Sequence, residues 1–324
     1  MFLIVLIRIP FDLKMAFQYL KNNFNHVPFK KMIKENHITF YMKKNLAIFF
    51  IFLCFLNSHL HAAKPYVIGQ LTGQLGNQFF VIAATVSVAL DNDAIPTFPD
   101  LATKKEDNIP LNYEKVLHHL NVVNPKISKI YREPFYHYQN IPYSPNICLS
   151  GYFQSEKYFR HHKNEILELF KPHKEINEYL VKKYGRILKH HCTVSIHYRS
   201  YYENDPEQKF YPQYGHVYFE AALKYFPSDA LLLVFSNDMK KCKKELEGLK
   251  GNFIFIEGEK HYHDLYLMSM CKHNIITNSS FSWWAAYLNS NPNKIVIVPP
   301  LWLTKGSGLN CKDVIPEDWT VINY

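Results

Sequence analysis

Three short segments carry side chains that could do chemistry, and each sits where a strand hands over to a helix. In Thr72-Gly-Gln-Leu-Gly-Asn-Gln78, Gly73 and Gly76 permit positive φ and a close backbone approach, and the free amides at a helix start favour an anion. Two glycines also suit a tight turn that holds no ligand. The strand spanning Thr193 to Arg199 alternates its side chains, so Ser195, His197 and Arg199 share one face. Arg199 at its carboxyl end could grip a diphosphate through two parallel charge-assisted bonds, which a lysine point charge cannot reproduce. The competing reading pairs Arg199 with Glu203 or Asp205. Asn278-Ser-Ser-Phe-Ser-Trp-Trp284 offers hydroxyls and amides that could hold phosphate oxygens or could simply cap a helix. Trp283 and Trp284 read as core packing. The Asn-x-Ser sequon at Asn278 lies inside this segment, which argues against glycosylation.

No metal site is expected. Asp91-Asn-Asp93 resembles a paired-carboxylate metal motif, but it falls at the end of a helix with ordinary turn punctuation. The six cysteines have neither CxxC nor CxxH spacing, and the seventeen histidines, including the doublets His118-His119, His161-His162 and His190-His191, lack helical or knuckle spacing. Buried free thiols and surface imidazoles are the default readings.

Positioning these segments requires alternating strands and helices. Beyond residue 193, β-branched runs alternate with helical periods, which marks stacked βαβ units. Strands are expected at Thr193 to Arg199, Ala230 to Phe235, Asn252 to Ile256, Asn274 to Thr277 and Lys294 to Val298. Helices are expected at Val217 to Phe226, Met239 to Leu249, His263 to Cys271 and Ser282 to Asn289. Runs such as Leu231-Leu-Leu-Val-Phe235 suit a parallel sheet buried on both faces. The segment from Lys64 opens in the same way, with a strand from Tyr66 to Leu71 and a helix from Asn77 to about Leu90. Residues 96–145 read as loops and short helices before helical period resumes at Tyr158 to Phe170 and Ile176 to Leu188. The fold class is therefore α/β, with two lobes, 64–188 and 189–324, flanking a cleft. Open α/β sheets bind ligands beyond the carboxyl ends of their strands.

Of the 324 residues, 48% are hydrophobic and 20% charged, which excludes a disordered or fibrous chain. The net charge of +9 suggests a nucleic-acid or anionic-membrane partner until its position is read. Residues 1–63 hold eight basic and two acidic side chains, so +6 of that charge lies in the leader and the body is nearly neutral. No nucleic-acid partner is expected, and membrane contact is expected only through the leader. From Met42, a basic start, the apolar run Leu46 to Leu56 and the pair Ala62-Ala63 form the three parts of a secretory signal. Eleven apolar residues are short for a permanent span. The expectation is translation from Met42, with this segment acting as a signal peptide or an uncleaved signal-anchor that directs the chain to the secretory pathway or a membrane. A non-functional leader would leave the protein cytoplasmic.

The chain resembles the α-1,2-fucosyltransferase family, glycosyltransferase family 11. The likeness rests on Gly73-Gln-Leu-Gly-Asn-Gln78, Gly151-Tyr-Phe-Gln-Ser-Glu-Lys-Tyr-Phe159, Val194-Ser-Ile-His-Tyr-Arg199, Phe235-Ser-Asn-Asp238 and the highly specific run from Asp264 to Leu288. These matches keep the family's order over about residues 66–302. The resemblance implies a two-lobed GT-B-like fold and transfer of L-fucose from GDP-fucose to the 2-hydroxyl of a terminal galactose, with inversion and without a metal or other cofactor. By the same likeness, Arg199 holds the donor diphosphate with His197 behind it. Ser280, Phe281 and Ser282 join from one helix start, Asn77 and Gly76 come from the other lobe, and Asp264 reads guanine. Where the family usually has His-x-Arg-Arg-x-Asp, this chain has Ser200 and Tyr202 in place of the second Arg and the Asp. Glu203 and Asp205 become the candidate bases. The competing functions are fucosyl transfer to a protein hydroxyl or another sugar, and a glycan-binding relative without catalysis.

Overall fold

The computed structural model describes residues 63–201 and 209–324. The leader with Met42, and the candidate bases Glu203 and Asp205, lie outside the described residues.

Continuous apolar runs form strands here because helices cover both faces of each sheet. The first sheet has β1 (Tyr66–Gln70), β2 (Ile95–Thr97), β3 (Lys129–Arg132) and β4 (Ile147–Ser150), ordered β2-β1-β4-β3 and parallel at every pairing. The second holds β5 (Thr193–Tyr198), β6 (Leu231–Ser236), β7 (Asn252–Phe255), β8 (His273–Ile275), β9 (Val296–Val298) and β10 (Thr320–Val321). Its order is β10-β9-β8-β5-β6-β7, again parallel throughout. Counted from β5, that is the doubly wound order 3-2-1-4-5-6, whose topological switch point lies between β5 and β8. The two sheets make a GT-B-like α/β architecture.

The principal helices are α1 (Leu75–Asp91), α2 (Lys163–Leu169), α3 (Lys174–Leu188), α4 (His216–Leu223), α5 (Met239–Glu245), α6 (His261–Met270) and α7 (Ser280–Leu288). Each expected strand of the second sheet forms, with ends displaced by one or two residues. The two-residue β10 was not anticipated, nor were β2, β3 and β4 of the first sheet. Those three are three or four residues long, β3 is mostly exposed, and Pro96 sits inside β2, so none carries enough apolar alternation to register. Helices α1, α6 and α7 each begin two residues before the expected point. That moves Ser280 and Phe281 out of the loop and into the first turn of α7.

Burial joins the two sheets through an aromatic seam between α1 and α7. Phe79 stacks on Phe170 at 4.0 Å, Phe80 lies 4.5 Å from Trp283, and Phe159 stacks on Trp284 at 5.4 Å. Trp283 and Trp284 are fully buried, as core packing requires, and Trp283 donates its indole N–H to the Val314 carbonyl. Gly76 lets the helices come this close: a Cβ there would fall 2.5 Å from the Phe281 amide nitrogen. The five described cysteines are free, and four of them are buried. Among the described residues, no helix is long and apolar enough to cross a membrane.

Truncating a buried tryptophan in such a seam removes a large apolar contact and leaves a cavity. Trp284→Ala is therefore expected to cost about 3–5 kcal/mol, read as a lower midpoint in urea unfolding of the whole chain. A loss under about 1 kcal/mol would show that the seam does not carry the fold.

Candidate functional site

A pocket of about 340 Å³ lies against the switch point and is lined from both sheets. Strand β5 delivers His197 and Arg199 to its edge, while the turn after β8 delivers Asn278 to Phe281. Ile196 and Ile275 are 275 − 196 = 79 positions apart in sequence, yet β5 and β8 pair directly and set them opposite each other. Buried polar groups lock this pairing: Asn274 Nδ2 donates to Ser195 Oγ at 2.7 Å, and Asn289 Nδ2 donates to Asn274 Oδ1 at 2.8 Å. The polar face of β5 thus splits its work, with Ser195 holding the sheet and His197 and Arg199 facing the pocket.

Two helix starts meet in that pocket. Leu75, Gly76 and Asn77 open α1, and Ser280 and Phe281 open α7. Neither helix receives a side-chain cap: Gln74 and Ser279 occupy the N-cap positions without bonding a first-turn amide. The hydroxyls act elsewhere. Ser280 Oγ donates to Asn77 Oδ1 at 2.6 Å, and Ser282 Oγ donates to the Ser279 carbonyl at 3.2 Å. Uncapped first-turn amides carry roughly half a positive charge at each helix start. With the Arg199 guanidinium, stacked 5.4 Å over the Tyr201 ring, the arrangement can hold two linked anionic groups.

The structure brings together Arg199, His197, Gly76, Asn77, Asp264, Ser280 and Phe281 on the pocket wall. Ser282 is fully buried and does not line it. The left-handed backbone expected at Gly73 is present, with φ at 63°, while Gly76 serves by close approach instead.

Several lining residues had no assigned role in sequence. Gln154 Oε1 accepts from the Tyr136 hydroxyl at 2.5 Å and from the Trp302 indole at 3.2 Å, and its Nε2 donates to Asn77 Oδ1 at 2.8 Å. Asn77 Oδ1 therefore accepts twice, which leaves its Nδ2 as a donor. Gln154 follows Phe153, a buried residue held at φ 50° by Glu133, whose Oε2 accepts from the Tyr152 and Phe153 amides at 2.7 and 2.9 Å. Asn237 extends the β5–β6 pairing past its end: its Oδ1 accepts from the Ser200 amide at 2.8 Å and its Nδ2 donates to the Ser200 carbonyl at 3.0 Å. The Gly151 and Phe235 motifs contained Gln154 and Asn237, but only the fold shows what they hold. Asn278 is buried, and its Nδ2 donates to the Pro212 and Trp302 carbonyls, which leaves the sequon no access to a glycan.

Electrostatics separate the ionisable groups. Burial, reinforced by nearby Arg199, holds the His197 imidazole down at about 3, so the ring is neutral, and its buried Nδ1 has no partner. Burial, helped by the Glu259 charge, pushes the Asp264 carboxyl up to about 7, and its Oδ1 is buried without a partner. His261 is also lowered, chiefly by burial, and its Nε2 lies 2.6 Å from Asn112 Oδ1. Asn112 Nδ2 donates to Gln78, so that oxygen is an acceptor and His261 carries its proton on Nε2.

Two parallel α/β sheets sharing a pocket at a doubly wound switch point define a GT-B-like protein. Residues 71–323 match the model of Glycosyl transferase family 11, and the chain belongs to that family. It is 34% identical over 181 residues to an alpha-1,2-colitosyltransferase of Escherichia coli, an alignment covering 53% of this chain and 61% of that one. It is 26% identical over 249 residues to galactoside alpha-(1,2)-fucosyltransferase 2 of Oryctolagus cuniculus, covering 71% and 68%. The chain thus spans about three fifths of the first relative's length. Among solved structures, an Arabidopsis thaliana FUT1 mutant in complex with GDP superposes with a TM-score of 0.47 at 13% identity, covering 74% of this chain and 71% of that one.

The Asp264 environment sets a pH signature for stability. Its folded value of about 7 lies above the unfolded 3.8, so the stability it lends is complete below the unfolded value and is lost as pH rises through about 7. Asp264→Asn should therefore melt higher than the parent at pH 8, by an amount of order 1–4 kcal/mol. The gain should vanish near pH 4. An equal effect of the substitution at both pH values would contradict a raised carboxyl.

Proposed function

We propose that this chain transfers L-fucose from GDP-fucose to the 2-hydroxyl of a terminal galactose, with inversion and without a catalytic metal. The observation that carries the reading is the meeting of two uncapped helix starts with Arg199 at the switch point. In this reading, Arg199 takes the β-phosphate bidentately, and the amides of Gly76, Ser280 and Phe281 with the Asn77 side-chain Nδ2 complete the cradle. Ser282 supports it only through the helix. Asp264, ionised by contact with the N1–H and N2–H₂ donors of guanine, reads the base. His197 packs beneath Arg199 as a neutral ring, so it adds no competing positive charge.

Breaking the bond to fucose builds negative charge on the departing diphosphate. Donors fixed around that charge stabilise the transition state more than the ground state. The acceptor hydroxyl needs a base. Burial raises the Tyr201 phenol far above neutrality and lowers His197 to about 3, so neither ring suits that role at pH 7. The proposal keeps the base with Glu203 or Asp205.

A second reading changes only the donor sugar. Similarity to a colitosyltransferase supports a 3,6-dideoxy sugar in the same seat. Incubating the full chain with GDP-fucose or GDP-colitose and a panel of β-galactosides, with linkage assigned by NMR, decides between them. A 2-O-fucosyl galactoside formed equally well in EDTA supports the main reading, and colitosyl transfer alone selects the second. Release of GDP with neither product, or labelling of polypeptide alone, rejects both.

Arg199→Ala is expected to lower kcat by about 10²–10³-fold, with Arg199→Lys recovering only part of the loss because its point charge cannot grip two oxygens. GDP affinity should rise with pH through about 7 as Asp264 ionises and should lose the part of that slope due to Asp264 in Asp264→Asn. Titration calorimetry reads both. Unchanged turnover in Arg199→Ala would remove the guanidinium from the mechanism.

A further inference from the structure

The turn at Asp91-Asn-Asp93 splits into two different surroundings. Asp93 adopts φ 48° and pairs with Lys64 at 2.5 Å, as an ordinary helix-ending turn would. Asp91 instead meets two imidazoles that are about seventy residues away in sequence. Its Oδ1 lies 2.8 Å from His162 Nε2 and its Oδ2 lies 3.1 Å from His161 Nε2. The three donor atoms all fall within 4.8 Å of one another.

Consecutive residues of a 3₁₀ turn point about 120° apart, so the turn Arg160–His162 does not bring two rings onto one carboxylate by itself. Both rings nevertheless converge on Asp91, with centroids 4.5 Å apart. His161 Nε2 also lies 3.1 Å from Ser87 Oγ on α1, so that ring alone would tie this turn to the helix and the convergence of His162 on the same carboxylate is additional. Two imidazole nitrogens and one carboxylate oxygen, open to solvent, make the three-ligand protein set that zinc takes in four-coordinate sites where water fills the remaining position. Magnesium and calcium prefer oxygen ligands and would leave the imidazoles unused. The donors also sit at the carboxyl end of α1, where the helix dipole favours a cation.

We propose that Asp91, His161 and His162 form a zinc-binding site. The ion clamps the far end of α1 to the turn that carries Phe159 into the aromatic seam. The pocket lies at the opposite end of this seventeen-residue helix, roughly 25 Å away by helical rise. Zinc at Asp91 therefore takes no part in holding the nucleotide, and the proposal stands apart from the catalytic reading. The sequence hid the site because its ligands come from a helix end and a histidine doublet, neither with ligand spacing.

Calorimetric titration of the full chain with Zn²⁺, after chelator treatment, tests it. One saturable ion per chain is expected, and at a hundredfold excess over Kd the melting temperature should rise by about 5–10 °C. Asp91→Asn and the double substitution of His161→Ala with His162→Ala should each abolish that event. Substituting His118→Ala with His119→Ala should preserve it. That second histidine group, stacked around His173, has His173 Nε2 already engaged by the Val116 carbonyl. His162→Gln, which keeps a polar side chain, serves if the double variant does not fold. Failure of the parent chain to bind Zn²⁺, or equal binding by Asp91→Asn or His162→Gln, overturns the proposal.

Discussion

Everything in this molecule depends on how closely the starts of α1 and α7 approach each other. Each helix belongs to a different sheet, and each leaves its first amides uncapped where the two come together. Bringing two positive helix ends together is electrostatically unfavourable in the absence of an anion. The approach persists because the aromatic seam behind it buries Phe79, Phe80, Phe159, Phe170, Trp283 and Trp284 completely or nearly so. Gly76 removes the one side chain that would hold the backbones apart. Apolar burial directly behind the pocket thus maintains a concentration of positive potential within it.

Around that centre, polar side chains fix other groups. Asn77 is oriented by Ser280 from one sheet's helix and by Gln154 from the other sheet's loop. Asn237 completes the backbone pairing just beyond β5, where Arg199 and Ser200 leave the sheet. Asn278 gathers three loops, bonding the Pro212 and Trp302 carbonyls through its amide and accepting the Tyr201 hydroxyl on its backbone oxygen. Asp264 differs in being ionisable. Its buried, unpartnered oxygen and raised carboxyl are costs that a folded protein retains where a ligand repays them.

Membership of glycosyl transferase family 11 agrees with this arrangement across residues 71–323. The relatives act, by name, on different sugars, and the pocket explains how one scaffold can serve them. In the proposed reading, the cradle of amides and guanidinium takes the diphosphate that such donors share. The wall of Tyr136, Gln154, Tyr211 and Trp302 offers a surface of another kind. Gln154 joins the two surfaces, since it bonds both Asn77 of the cradle and Trp302 of the wall.

Local pattern alone determined five of the six strands of the second sheet, because β5 to β9 are apolar runs bounded by turns, whereas the two-residue β10 is too short to be recognised. It also marked Arg199, the two glycine-bearing or serine-bearing helix starts, and the core role of Trp283 and Trp284. The short strands of the first sheet were illegible, since β2 and β3 become strands only by pairing with β1 and β4. The functions of Gln154, Asn237 and the Asp91 cluster were decided in space, through bonds that cross many tens of residues. Hydrophobic periodicity is written along the chain, whereas a hydrogen-bond partner or a shared ligand exists only after the chain has folded back on itself.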